Sequence, residues 1–396
     1  MKSLINEKIE QAVSILNEKD TDLWMIFARE SSVNHDPAMD IVVGANCTWQ
    51  SAFMINRNGD TTAIVGSLEV PNMTTVGTYK NVEGYLKSVK EPLLEYLRKH
   101  NPKKIAINFS KHSNLADGLT YGLYLNLLDH LAGTDFPLRF ISSEEIVAAL
   151  RGRKSDSEVS NITAAIEVTE KIYNELTGFM KPGMSEKDVA AFILKRIADH
   201  GLETAWEQDH CPAVYTGPET AGAHSGPTDR KIEKGHIINT DFGVKVNGYC
   251  SDMQRTWYVL RDSETTAPPQ VQKGFDVIKQ AIRNAFAGMK PGVPGCEIDD
   301  LARNHITSNG YAEYQHGLGH QVGRAVHDGG AGLFPRWERY GNTPFLPLEP
   351  GHVFTIEPRL FVEGHGVVTV EEMVNVTADG CRWLSHPQEE LWYIKG

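Results

Sequence analysis

Met180–Leu202 reads MKPGMSEKDVAAFILKRIADHGL, and Met289–Tyr311 reads MKPGVPGCEIDDLARNHITSNGY. Both open on Met-Lys-Pro-Gly, pass through a helix start and an apolar helical face, and carry glycine near the helix end. Capping chemistry can converge on one such segment. Two copies matching at this length predict two structurally related halves. A pair of strand-like segments follows each copy, so the expected pattern is helix, then strands, used twice.

Upstream of the first copy, the polar run LRGRKSDSEVSN (150–161) leads into a long helix. Ser155 with Glu158 fits a capping box, and Val159, Ile162, Ile166 and Ile172 form its apolar stripe. The domain boundary is placed near residue 153, dividing the chain into 1–152 and 153–396. At 396 residues both parts are large enough for a core. In the first part LWMIFA (23–28) and KKIAINFS (103–110) read as buried strands, and SAFMINRNGDTTAIV (51–65) as a hairpin turning at Asn58-Gly59. Leu4, Ile9, Val13 and Leu16 mark one face of an amphipathic helix at the N-terminus. The expected fold class is α+β.

Composition narrows the function classes. A net charge of −12 argues against a general nucleic-acid or anionic-membrane surface. The N-terminus lacks the apolar core of a signal peptide, and no apolar run reaches membrane-spanning length. The five cysteines show no C-x-x-C spacing and read as reduced, buried thiols of a cytoplasmic protein.

The strand segments carry the chemistry. In INTDFGVKVNGYCSDMQRTWYV (238–259), a four-residue loop Lys245–Gly248 would pair Val244 with Tyr249 and set Asp241 opposite Asp252. In VFTIEPRLFVEGHGVVTVEEMVNV (353–376), a loop Glu363–His365 would pair Val362 with Gly366 and set Glu357 opposite Glu371. Directly opposed side chains have Cβ atoms ~5 Å apart, where like charges repel. Two acid pairs at matching places of a repeat therefore point to cations between them. Strand parity turns Glu372 to the other face, with Phe354, Ile356, Val368, Val370 and Val374. Four carboxylates with one imidazole suit two hard or borderline divalent ions, which typically lie ~3.5–4 Å apart and activate a bridging water.

HGLGHQVGRAVHD (316–328) offers three candidate imidazoles, His316, His320 and His327. The spacing of His316 and His320 imitates the helical H-E-x-x-H zinc motif, but Gly317, Gly319 and Gly323 oppose a helix and no glutamate follows His316. The stretch reads as strand or loop. His224 precedes the first acidic strand.

HSGPTDRKIEKGHIINTDFG, NGYCSDMQRTW, HGLGHQVGRAVHD, FTIEPRLF and VTVEEMV, in that order, resemble the pita-bread metallopeptidases, with prolidase and aminopeptidase P closest. The resemblance covers the chain from about Ser155. The preceding domain resembles the N-terminal domain of prolidase, aminopeptidase P and creatinase. It implies a pseudo-two-fold catalytic domain in which Asp241 chelates one metal, Asp252 and Glu371 bridge both, and His320 and Glu357 hold the second. Glu357 would also move protons from the bridging hydroxide's parent water to the leaving amine. His224 and His327 would flank the substrate, with His316 divided between substrate pocket and structural support. The implied cofactors are two divalent ions, manganese first, with cobalt, iron or zinc also suited. A homodimer is implied as well.

Three departures bear on specificity. Arg359 stands where the family usually has glycine, Thr369 where proline-specific members commonly have arginine, and Arg324 where the family is usually apolar. Arg324 and Arg359 suit either a substrate carboxylate or salt bridges to neighbouring acids. Trp337, Tyr340 and Phe345, in a long stretch after His327, suit either a lid or loop packing. The expected function is a dinuclear exopeptidase cleaving an N-terminal bond, with Xaa-Pro as the expected bond, of dipeptidase or aminopeptidase type. The alternatives are a creatinase-like or lyase-type enzyme acting on a small molecule, and a non-catalytic peptide-binding module.

Overall fold

The computed structural model describes residues 2–219 and 225–395. The chain divides into two compact units, Met1–Arg151 and Gly152–Gly396.

In the first unit, Leu23–Ala28 lies inside a six-stranded sheet, antiparallel to Ser51–Asn56 and parallel to Ile105–Ile107. Trp24 and Ile26 face the helix Lys2–Glu18, while Met25 and Phe27 pack with Leu93, Leu97 and Leu127 on the other face. Burial on both faces explains why LWMIFA is continuously apolar rather than alternating. The helix Lys2–Glu18 buries Ile5, Ile9, Ala12 and Leu16, so its apolar stripe is rotated from the expected one, and Leu4 and Val13 sit at its margin.

The second unit is built from the repeat. Helix Asp156–Phe179 is followed by Glu186–Asp199, and helix Pro269–Gly288 by Gly295–Ser308; the second helix of each pair has 14 residues. The glycine of each Met-Lys-Pro-Gly has positive φ, 91° at Gly183 and 86° at Gly292, which is why the motif keeps glycine there. Ser155 and Ser185 both complete capping boxes, with Glu158 and Asp188. The second copy departs by placing Pro294 at the cap.

Each helix pair leads to an antiparallel strand pair. The first joins Ile237–Phe242 to Met253–Val259, and the second joins Val353–Ile356 to Glu372–Val376. Phe354, Ile356, Val368, Val370 and Val374 enter one core cluster with helix Pro269–Gly288. The opposite face is left for polar groups.

The first hairpin corrects the expected register. Asn247 and Gly248 both have positive φ, 50° and 80°, and form a two-residue turn between Val246 and Tyr249. Asp241 therefore faces Gln254, not Asp252. The error is two residues, so Asp241 and Asp252 still share a face. Gly243 lets this crossing close, because a Cβ there would collide with the Ser251 carbonyl oxygen. The second hairpin pairs Val362 with Gly366 and Ile356 with Glu372, a register that sets Glu357 against Glu371.

The two strand pairs meet edge to edge at a bridge from Gln254 to Glu371, where the Glu371 amide donates to the Gln254 carbonyl at 3.1 Å. This bridge brings the acids of both halves together.

Candidate metal centre

The first acidic pair is held from behind by the long helix. The Tyr173 hydroxyl lies 3.0 Å from the Thr240 carbonyl and 2.6 Å from that of Met253, the neighbours of Asp241 and Asp252. The bridge between halves is held by Arg255, whose guanidinium donates to the carbonyls of Gln254 and Glu371 and pairs with Glu372 at 3.1 Å. Both partners of that ion pair are almost fully buried. Neither Tyr173 nor Arg255 is marked by a local motif; each acts through contacts distant in sequence.

On the open face, His320 Nε2 lies 3.2 Å from Glu357 Oε1 and 3.7 Å from Asp252 Oδ2. Ligand atoms of Asp252, His320 and Glu371 lie within 4.8 Å of one another. The carboxyls of Asp241 and Asp252 act on each other, with the charge of Asp241 bearing on Asp252. Burial, followed by the charges of neighbouring carboxylates, pushes the pKa of Asp241, Asp252 and Glu371 well up. Burial acts the same way on Glu357, but His320, through a hydrogen bond and its charge, and then His316 and His327 outweigh it and lower that pKa.

Asp241 Oδ1, Glu371 Oε2 and His320 Nδ1 are buried without a hydrogen-bond partner among the described residues. Buried polar atoms without partners are costly, and packed carboxylates more so. Oxygen donors with one imidazole, mutually repelling and under-satisfied, fit divalent cations.

The remaining candidates fall around this cluster. The His327 ring stands edge-on to His320, with centroids 4.4 Å apart, and is exposed. The turn after it is tied down by the buried ion pair of Asp328 and Lys154 at 3.3 Å. His316 Nδ1 lies 2.7 Å from the Gly317 carbonyl, which only accepts, so Nδ1 carries the proton. Burial lowers the His316 pKa, so the ring is neutral and Nε2 remains an acceptor. Its backbone is fixed by Arg303, which grips Asp299 with two bonds and donates to the carbonyls of Tyr314 and His316. Arg324 lies over the Tyr249 ring, 5.5 Å from its centroid, at the turn of the first hairpin. Arg359 is half-buried, and Glu357 and Tyr215 are the groups whose charges reach it. His224 lies outside the described residues.

The aromatic stretch after His327 is packed. Phe334 stacks on Tyr340, Trp337 lies parallel to the same ring, and Arg303 sits between Tyr314 and Trp337 at 4.0 and 5.0 Å from their centroids. Phe345 is 51% exposed and outside this stack.

Sequence reasoning missed Gln254. Its amide Nε2 donates to Glu357 Oε2 at 3.1 Å, and its Oε1 accepts from Thr369 Oγ1 at 2.9 Å. Thr369 thus fixes which way the amide points, and the amide fixes Glu357. Correct register would have flagged Gln254, since it shares the acid face with Asp252.

Among the described residues no helix is long and apolar enough to cross a membrane. Comparison with known proteins places residues 160–378 in a match to metallopeptidase family M24. An uncharacterized peptidase of Staphylococcus saprophyticus is 31% identical over 335 residues, 84% of this chain and 87% of that protein. The Xaa-Pro dipeptidase from Bacillus anthracis is similar in structure, with TM-score 0.76 and 24% identity over 98% of this chain and all of its own. The X-Pro aminopeptidase from Thermotoga maritima gives TM-score 0.73 and 23% identity, over 98% and 99% of the two chains. These structural likenesses establish the fold, an N-terminal α/β domain followed by a pita-bread domain.

Proposed function

The chain belongs to metallopeptidase family M24, and from that premise we propose that it is a dinuclear exopeptidase whose preferred bond is Xaa-Pro. One observation carries the proposal: four acids and an imidazole converge, with Asp241 Oδ1 and Glu371 Oε2 buried and without a hydrogen-bond partner among the described residues. Asp241, Asp252, Glu371, Glu357 and His320 would hold two divalent ions, with manganese favoured by the oxygen-rich donor set. Such ions supply Lewis acidity to the scissile carbonyl and lower the pKa of a bound water.

The protein's own part follows from its geometry. Glu357 is the proton carrier: Gln254 holds Oε2, and Oε1 faces the cluster beside His320. It takes a proton from the attacking water and returns it to the leaving nitrogen. His327, exposed against His320, orients the scissile amide and donates to its carbonyl oxygen as charge develops there. His224 is assigned the opposite flank on the strength of the sequence resemblance alone. A neutral His316 accepts a hydrogen bond at Nε2, a fit to the substrate's free amino group.

The substrate class to try first is that named for the two structural neighbours, Xaa-Pro dipeptides and longer peptides with proline second. Turnover of a panel of both, in the presence of manganese, is the expected result. Absence of turnover with manganese, cobalt, iron and zinc alike would end the peptidase assignment and direct attention to small metabolites.

A further inference from the structure

Arg359 and Thr369 are the two departures that flank the acids, and the structure makes them register partners in the second hairpin. The pairings on either side of Pro358 agree, since Ile356 faces Glu372 and Arg359 faces Thr369. No residue is bulged out, so strand parity carries through and places Arg359 and Thr369 on the face of Glu357 and Glu371. Thr369 is buried and its hydroxyl is committed to Gln254. Arg359 has no such commitment. It makes no hydrogen bond or ion pair among the described residues, although it is half-buried.

Other arginines of this unit show how the protein usually treats a buried guanidinium. Arg255 is paired with Glu372, Arg303 with Asp299, Arg230 with Glu186 and Arg153 with Glu349. Arg324 rests on Tyr249. A guanidinium kept partly out of water beside an acidic cluster, yet not bonded to it, costs stability that a structural role does not recover. Charge balance points the same way. Two divalent ions would offset the four carboxylates, Glu357 included, and Arg359 then adds a positive charge that no ion pair among the described residues answers. Its planar fork suits a carboxylate in two-point contact.

We infer that Arg359 is a specificity residue that binds a carboxylate of the substrate, namely the free C-terminal carboxylate of a dipeptide's leaving residue. The inference rests on the exopeptidase reading and deepens it by selecting dipeptides over longer peptides. An aspartate or glutamate side chain is a second source of the same group.

The test compares alanyl-proline, its C-terminal amide, and the amide of alanyl-aspartate, using manganese-loaded full-length protein. Wild type is expected to prefer the free acid over its amide by about tenfold or more in kcat/KM, the scale of a charge-assisted pair. In Arg359→Gln the ratio is expected to collapse toward one, with Arg359→Lys keeping part of it. Melting curves check that each variant is folded. Binding of the same three compounds with the scissile amide reduced to a methyleneamine, followed by calorimetry, gives a readout independent of turnover. A free-acid preference in wild-type binding that Arg359→Gln abolishes supports the inference even where no compound is cleaved, which would sink the peptidase reading alone. A ratio unchanged by Arg359→Gln overturns the inference and leaves the peptidase reading standing. Preference for the aspartate amide over the proline free acid also overturns it, by assigning Arg359 to a side chain instead of a C-terminus.

Discussion

Glu371 and Glu372 are adjacent, 1% and 0% exposed, and opposite in circumstance. Glu372 points behind the strands, where Arg255, Ser385 Oγ and the Gln388 amide satisfy both its oxygens. Glu371 points forward among Asp252, Glu357 and Asp241, with Oε2 unpartnered among the described residues. The same side chain, buried equally, is a structural member on one face and a proposed cation ligand on the other. Burial alone distinguishes nothing; the number and sign of the partners does.

Substitution on each face should separate the two roles. Glu371→Gln is expected to lower kcat/KM by about a thousandfold or more, the loss of several kcal/mol of metal-derived transition-state stabilisation. In the metal-free protein the same change relieves repulsion, so its melting temperature should not fall. A metal-free Glu371→Gln that melts well below wild type would erase the contrast with its neighbour. On the other face, Arg255→Met strands Glu372 without its cation and should cost about 3–5 kcal/mol of stability, read from denaturant unfolding. A cost below 1 kcal/mol would show that Ser385 and Gln388 suffice for Glu372.

Between these extremes stands Gln254, which touches a proposed ligand without being one. Gln254→Met is expected to weaken divalent-ion binding about ten- to a hundredfold, as loss of a ligand's outer partner does. Calorimetric titration checks this, and unchanged affinity would remove the Gln254–Thr369 pair from the account of how Glu357 is held. The most local expected effect concerns His352, a buried imidazole away from the acids. Burial, then the charges of Lys154 and Arg153, lowers its pKa from 6.5 to about 3, with Glu349 3.9 Å away as the facing anion. Because the folded pKa lies below the unfolded one, the unfolded chain takes up the proton first as pH falls. The stability of the neutral ring is complete above about pH 6.5 and is lost as pH drops toward 3. Wild type should therefore lose about 1.4 kcal/mol per pH unit more than His352→Gln between about pH 6 and 4. Parallel stability curves for the two proteins would contradict this.

Much of the site was legible because it follows short-range rules. The repeated Met-Lys-Pro-Gly marks a left-handed glycine before each second helix, and that need survives divergence at other positions. Period-two alternation separated Glu371 from Glu372 without any structure. The misjudged turn at Asn247-Gly248 moved Asp241 from Asp252 to Gln254, yet left both aspartates on one face because the slip was even. What the sequence concealed are the contacts made when the two halves meet. Arg255 with Glu372, Gln254 with Glu357 and Tyr173 with both strands of the first hairpin span from 67 to 117 positions. No local pattern encodes them.

The central claim is that the forward-facing acids hold divalent ions. Metal analysis of the purified protein dialysed against manganese, alongside Glu371→Gln, addresses it most directly. The account expects about two ions per chain in wild type, as a dinuclear site requires, and a clear fall in the variant. Wild type without stoichiometric metal, or a variant that retains the full complement, would contradict it.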